Sequence, residues 1–379
     1  MEQRKCTYDK CGGCVMCDKT YDETLIEKQK YVEGLLARYC MVDDIISMYY
    51  PYNYRNKVHA TFKNTSKGNV ITGTYKEGTH ELVAVDRCLI DDKTADEIIL
   101  SIRKLANDFK FKAYDEDRHT GLLRHVMVRV GASSKQIMVV IVTPTEEFPS
   151  KKNFVTELLK LHPNITTVVQ NINPSNTSMV LGNYEKVIYG KGFIEDTLLG
   201  YTFRISSRSF YQVNKSQTET LYKTAIKGLN LTGKEAVVDA YCGIGTISFA
   251  VSKKAKYVIG VELNSQAVND AKENLKRNNI KNVNFVCDDA GEYMVSMAAE
   301  GRKIDALIMD PPRSGSSRDF IDSVAKMGPD KIAYISCNPE TLARDIDYFT
   351  IKGYKPIQIT PVDMFAFTKH VEVVCILTK

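Results

Sequence analysis

The 379-residue sequence has no tryptophan, no apolar run long enough to cross a bilayer, and no low-complexity tract. The missing run excludes a membrane-spanning helix, which needs about 18 or more consecutive apolar residues. The N-terminus is polar and lacks the apolar core of a secretory leader, which points to a reducing, cytoplasmic compartment. Neither sign of charge dominates: 51 Lys and Arg face 46 Asp and Glu, a formal net of +5. That balance permits a nucleic acid partner without establishing one. The 21 tyrosines and 14 phenylalanines leave aromatic surface for stacking on bases, although most such rings belong in a core. The length calls for two domains or more.

Cysteine is the residue present in surplus. The chain has 10, with Cys6, Cys11, Cys14 and Cys17 crowded into its first segment. In a reducing compartment such a set argues for metal, cluster or thiolate chemistry rather than disulfides. Cys40, Cys287 and Cys375 read as buried small hydrophobes. On local spacing alone, the compact C-x2-C-x2-C run of Cys11, Cys14 and Cys17 joins Cys6 as a four-thiolate set, which suits zinc or an iron–sulfur cluster.

The segment DETLIEKQKYVEGLLARY (22–39) has apolar residues at helical spacing. From residue 50 the pattern becomes strand-like, with alternating stretches such as KVHATFKN around Gly and Asn turns. Residues 18–205 are therefore expected to form an α/β domain around an antiparallel sheet. A helix is predicted from about Asn214, and beyond it strands and helices alternate: AVVDA, YVIGVE, VNFVC, IDALIMD, IAYISC, then KPIQITPV and VEVVCIL. Regular alternation predicts a Rossmann-like, doubly wound seven-stranded sheet over 206–379, closed by an edge hairpin with the seventh strand antiparallel.

VVDAYCGIGTISFA places an apolar strand, an acid and Gly243-x-Gly245 directly before a helix. The glycines allow a tight turn and close approach to a ligand. The third glycine of a dinucleotide fingerprint is absent, since Ser248 stands there, which argues against a pyrophosphate ligand. Glu262 ends the second strand, placed to accept hydrogen bonds from a ribose diol. Asp289 follows the third strand, where it could meet an adenine amine, although Asp288 or Asp289 alone reads equally as a helix cap. Asp310 opens DPPR after the fourth. One acid after each of four strands is the layout of an S-adenosylmethionine-dependent methyltransferase.

DPPR is similar to the DPPY of amino-group methylases, but Arg313 replaces the tyrosine that would stack on a base. Cys337 follows the fifth strand and Glu372 opens the seventh. A thiol and a carboxylate beside a methyl donor suit methylation of pyrimidine carbon 5, a poor nucleophile until a thiolate adds at carbon 6. A general base must then remove the carbon 5 proton before the thiolate leaves. A cluster-bearing nicotinamide or flavin oxidoreductase would account for the cysteines and the glycine turn, but leaves Cys337, Glu372 and DPPR without work.

The motifs SFYQVN (209–214), DAYCGIGT (239–246), GVE (260–262), MDPPRSG (309–315), SCNPETLARD (336–345) and DMFAFTKHVE (363–372) resemble those of the RNA 5-methyluridine methyltransferases, which act on uracil in tRNA and 23S rRNA. The resemblance implies Cys337 as nucleophile and Glu372 as base. It implies a cofactor pocket for S-adenosylmethionine lined by Gln212, Tyr241, Gly243, Thr246, Glu262, Asp289 and Asp310, with Asp310 near the uracil. Ala366 departs from the family's usual proline. In the 23S rRNA branch, cysteines near the start and one further along hold a [4Fe-4S] cluster. The matching positions are Cys6, Cys11, Cys14 and, in AVDRCLI, Cys88, leaving Cys17 spare; the Cys6 to Cys11 spacing is one residue tighter than in those relatives. The cluster would be structural, since the reaction moves no electrons, and would occupy a segment over 1–17. Many relatives carry a small β-barrel RNA-binding module before the cysteines, and this chain begins at the cysteines. RNA contacts are therefore expected from the central domain, first from Arg55 and Lys57 in YYPYNYRNKVHATFKN (49–64). The expectation is a monomer acting on 23S rRNA, with the T-loop uridine of tRNA as the alternative.

Overall fold

A computed structural model describes residues 6–8, 11–76, 78–79, 81–175 and 179–379. The chain divides into two units, one comprising Met1–Asp18, Tyr50–Thr197 and Arg204–Arg208, the other Lys19–Tyr49, Leu198–Phe203 and Ser209–Lys379. No described helix is long and apolar enough to cross a membrane.

The first unit is built on a seven-stranded sheet. In chain order its elements are β1 (Lys57–Asn64), β2 (Val70–Tyr75), β3 (Leu82–Ala84), α2 (Lys93–Asp108), β4 (His125–Val130), β5 (Ile137–Thr143), α3 (Lys151–Leu161), β6 (Ile165–Ile172) and β7 (Tyr184–Tyr189). The strand order is β3-β2-β1-β4-β5-β6-β7. Every neighbouring pair is antiparallel except β5–β6, whose parallel pairing follows from the α3 crossover between them. Alternation along β1 sends Val58, Ala60 and Phe62 to one face, where they pack with Ile98 and Ile102 of α2 and Phe154 of α3. Lys57, His59 and Thr61 point the other way. A two-stranded hairpin of β8 (Phe193–Leu198) and β9 (Tyr201–Ser206) follows.

The second unit begins with α1 (Tyr21–Leu36), started by a capping box in which Thr20 accepts the Glu23 N–H and Glu23 accepts the Thr20 N–H. Sequence reading put this helix in the central domain. Instead it buries Val32 and Leu36 with Phe349, Tyr354 and Ile359 of the C-terminal sheet and its helices. That sheet contains β10 (Ala236–Ala240), β11 (Tyr257–Glu262), β12 (Val283–Cys287), β13 (Ala306–Met309), β14 (Lys331–Ser336), β15 (Lys355–Val362) and β16 (Glu372–Thr378), in the order β12-β11-β10-β13-β14-β16-β15. The helices between them are α5 (Thr246–Ser252), α6 (Ser265–Asn278), α7 (Ala290–Ala299), α8 (Arg318–Met327) and α9 (Pro339–Ile351), with α4 (Lys215–Leu229) before β10. This is the expected Rossmann-like sheet, with β16 antiparallel to both neighbours. One detail differs: β16 is inserted between β14 and β15, so Glu372 stands in an interior strand and β15 is the edge.

Candidate active site

The carboxyl ends of β10, β11, β13 and β14 surround a cavity of about 480 Å³ in the second unit, within the range of small-molecule sites. Its floor is the turn after β10. Tyr241 and Gly243 both adopt left-handed φ, 66° and 56°. Gly245 is required by packing, because a Cβ there would stand 2.3 Å from the Phe285 ring. Glu262 clasps the turn: its Oε2 accepts the Gly243 N–H at 3.0 Å and its Oε1 the Asn264 N–H at 2.7 Å. A carboxylate oxygen can accept more than one hydrogen bond, so Glu262 keeps capacity for a ligand hydroxyl.

Behind the turn Asp239 is fully buried and accepts from Ser248 Oγ at 2.5 Å. Burial pushes its carboxyl up to about 7, and the negative charges of Asp310 and Glu262 add to that rise. Burial likewise raises Asp310.

The opposite wall carries the thiol and the base. Asn338 caps α9 and Pro339 starts it, so the chain leaves β14 sharply at Cys337. In the antiparallel β14–β16 ladder Ser336 faces Val373. Cys337 follows Ser336 in the chain and Glu372 precedes Val373. Both line the cavity, together with Asp310, Arg313, Phe365 and His370. Glu372 is only 4% exposed. Burial raises its carboxyl first, and Asp310 raises it further, while Arg313 opposes. The Cys337 thiol is also raised, by burial, then by Glu372 and Asp310, with Arg313 again opposing. Burial and mutual repulsion thus disfavour charge on the thiol and the base together. Arg313 Nη2 lies 3.5 Å from His370 Nε2 at the same wall.

Of the residues expected at the cofactor, Gln212, Tyr241, Gly243, Thr246, Glu262 and Asp310 line this one cavity. Asp289 is not among the lining residues. Its Oδ1 caps α7 by accepting the Gly291 and Glu292 N–H groups at 2.8 and 3.1 Å, the role sequence reading had weighed as the alternative. Sequence reading missed Tyr222 of α4, whose hydroxyl lies 3.2 Å from Thr246 Oγ1. It belongs to a helix whose pattern shows only a buried face. Cys287 is exposed rather than buried, because it ends β12 at the rim of the sheet; Cys375 is buried as expected and Cys40 half-buried.

The first unit gathers Cys6, Cys11, Cys14, Cys17 and Cys88. The Asp86 N–H donates to Tyr8 Oη at 3.1 Å, tying the Cys88 loop to the N-terminal segment. Burial pushes the Cys14 thiol up to about 12, and Cys11, Cys6 and Cys17 add to it. Cys88 is raised by burial, then Asp91, with Cys14 also contributing. These thiols therefore share one neighbourhood, and soft sulfur donors suit iron–sulfur or zinc. Among the described residues, no group of three or more His, Cys, Asp or Glu side chains is arranged closely enough to hold a metal ion. The donors fit such a centre in kind and place, not in ligand spacing.

On the sheet face opposite its helices, Lys57 stands directly across from Arg129 in the β1–β4 ladder. Like charges in register are unfavourable. Burial lowers the Lys57 ammonium to about 8, with Arg129 and Arg55 adding to the effect. Arg55 faces Asp91, whose carboxyl it holds down against a larger rise from burial.

A model of the tRNA (uracil-5-)-methyltransferase family matches residues 178–379. An uncharacterized RNA methyltransferase of Halalkalibacterium halodurans is 40% identical over 98% of this chain and 82% of its own length. A further uncharacterized RNA methyltransferase, from Clostridium tetani, is 39% identical over 98% of this chain and 81% of its own. Among solved structures, the Pyrococcus abyssi tRNA (uracil-54, C5)-methyltransferase in complex with S-adenosyl-L-homocysteine superposes with a TM-score of 0.81 at 26% identity, covering 97% of this chain and 86% of that one.

Proposed function

The chain belongs to the RNA (uracil-5-)-methyltransferase family, and from that premise we propose that it methylates carbon 5 of a specific uridine in 23S rRNA, with Cys337 as nucleophile and Glu372 as general base. The observation that carries this reading is that Cys337 and Glu372 line the same cavity as Glu262, Gly243 and Asp310. S-adenosylmethionine supplies the methyl group. Gln212, Tyr241, Gly243, Thr246, Glu262, Asp289 and Asp310 would hold it, Asp289 while also capping α7.

The Cys337 thiol loses its proton to solvent and its thiolate adds to carbon 6, turning carbon 5 into a nucleophilic, enolate-like centre. Arg313 favours that thiolate against the nearby carboxylates. Once carbon 5 carries the methyl group, Glu372 takes the proton from it. The electrons of that C–H bond re-form the carbon 5–carbon 6 double bond and expel the thiolate. A base raised above the ordinary carboxylate range is matched to this step near neutral pH. The target uracil must leave its stack to reach the thiol.

Cys6, Cys11, Cys14 and Cys88 would hold a [4Fe-4S] cluster, with Cys17 spare, and this set favours 23S rRNA as substrate. The cluster is read as structural, tying segment 1–17 to the central domain that supplies Cys88. Arg55 and Lys57 are read as RNA contacts, and the working form as a cytoplasmic monomer. The likeness to a tRNA (uracil-54, C5)-methyltransferase favours a second reading, the same reaction on the T-loop uridine of tRNA. Mapping 5-methyluridine in both RNAs from cells with and without the gene separates the two. Loss at a 23S position supports the first and loss confined to tRNA the second. Purified protein inactive on unmodified transcripts of both refutes the assignment.

A further inference from the structure

The nine-residue turn from Asp363 to Val371, which joins β15 to β16, delivers Phe365 and His370 to the cavity and leads directly into Glu372. Its backbone is not relaxed, since Phe367 sits at a φ of 62°. Left-handed conformations of bulky residues persist only where the surroundings over-determine them. Those surroundings come from α1 and the segment after it. Lys28 Nζ donates to Asp363 Oδ1 at 2.6 Å and to the Phe365 carbonyl at 2.9 Å. Tyr21 Oη donates to Asp363 Oδ2 at 2.7 Å and accepts the Met48 N–H at 2.7 Å. The Asp363 N–H reaches the Ile46 carbonyl at 3.0 Å. The Tyr21 ring packs 5.8 Å from that of Phe367.

Lys28 and Asp363 are almost wholly buried, their side chains 2% and 0% exposed. A buried ion pair is weak evidence for stability, because desolvation can cancel its Coulombic gain. Nor does the pair serve to dock α1, which Val32 and Leu36 already anchor in the apolar core. What the pair adds is directional: one ammonium meets both a side chain and a main-chain carbonyl of the turn.

We propose that Lys28 is a positioning residue for methyl transfer, fixing the turn through Asp363 and the Phe365 carbonyl so that Glu372 meets the carbon 5 proton. This rests on the reading of Glu372 as the base. α1 thus belongs to the catalytic apparatus although it contributes no side chain to the cavity.

The test compares full-length wild type, Lys28→Met, Lys28→Met/Asp363→Asn and Glu372→Gln on unmodified 23S rRNA and tRNA transcripts. It follows single-turnover methylation, the fraction of RNA trapped as a methylated covalent adduct, S-adenosylmethionine affinity and the melting midpoint. Misplacing a catalytic group by about 1 Å can cost about 100-fold, so Lys28→Met should turn over roughly 10- to 100-fold more slowly while adduct accumulates as in Glu372→Gln. Cofactor affinity should stay near wild type. The double variant leaves no unpaired buried charge and should recover the melting midpoint while still accumulating adduct, which separates positioning from folding. Wild-type turnover in the double variant would overturn the inference. So would activity that falls only with the folded fraction and traps no adduct. If Glu372→Gln traps adduct and Lys28→Met does not, this inference alone fails. If Glu372→Gln turns over normally, the base assignment fails and carries the inference with it.

Discussion

Replacing Glu372 by Gln should abolish turnover while making the protein more stable, and the two effects have one cause. Burial and the neighbouring Asp310 lift the Glu372 carboxyl from 4.5 to about 8. Between those pH values the folded chain holds a proton that the unfolded chain releases, so stability falls as pH rises through the window. At about 1.4 kcal/mol per pH unit the ceiling on this cost is about 5 kcal/mol. Because the charge is felt jointly with Asp310, an effect on the order of 2 kcal/mol is expected at pH 8.5. Glutamine keeps the shape and carries no charge, so it escapes the cost. For a body of this size the gain corresponds to a melting midpoint higher by about 4–8 °C. The difference should shrink toward pH 5, because the gap between folded and unfolded protonation closes as pH falls to the unfolded value of 4.5. Turnover should fall by about 10²–10⁴, the usual worth of a general base, with methylated RNA retained on the protein. The assays are thermal melts at pH 5.5 and 8.5 and denaturing-gel detection of the adduct. Normal turnover would show that another group takes the proton. A variant that melts below wild type at pH 8.5 would show that the buried charge is not the burden argued here.

Cys337→Ala should eliminate both turnover and the covalent adduct while leaving S-adenosylmethionine affinity near wild type, as read by gel and titration calorimetry; a surviving adduct would remove Cys337 as nucleophile. Cys88→Ser should lose iron from protein purified anaerobically and Cys17→Ser should retain it, so an iron count reads the ligand set directly. Lys57→Met should weaken RNA binding and reduce the slope of log affinity against log salt by about 0.7–0.9, the signature of one lost phosphate contact. Because the Lys57 ammonium titrates near pH 8, wild-type RNA affinity should also decline as pH rises through that value, and the variant should lose this dependence.

Much of the site was legible because a doubly wound sheet places its chemistry at predictable points. Glu262, Asp310 and Cys337 each follow an apolar strand, and in such a sheet the carboxyl ends of parallel strands open on the ligand crevice. Asp289 met the same criterion and also caps α7, since an acid before a helix can serve as its cap. Strand order is not written in alternation, so the insertion of β16 between β14 and β15 went unseen, and Glu372 was assigned to an edge. The β5–β6 pair escaped for a related reason: a helix between two strands shows that a crossover exists, while the surrounding antiparallel pattern suggests otherwise. Helix α1 was placed by its position in the chain, whereas its allegiance is set by which core accepts Val32 and Leu36.

The serine in place of a third glycine at position 248 connects the fold to the charge of the ligand. Ser248 Oγ holds one oxygen of the buried Asp239, whose other oxygen has no hydrogen-bond partner. A glycine there would remove that hydroxyl partner, at a cost of the size expected for a lost buried hydrogen bond, about 1–3 kcal/mol. Asp239, Asp310 and Glu372 are thus all retained in a setting that raises each of them, and the Cys337 thiol feels Glu372 and Asp310 as well. The nearest opposing side chain is Arg313, at the exposed wall. So uneven an arrangement is unfavourable in an empty site and becomes favourable when a cation enters it. The sulfonium of the proposed cofactor is such a cation, and its conversion to a neutral thioether on methyl transfer removes the attraction. The same carboxylates that hinder formation of the Cys337 thiolate before cofactor binding therefore favour the charged donor over its uncharged product.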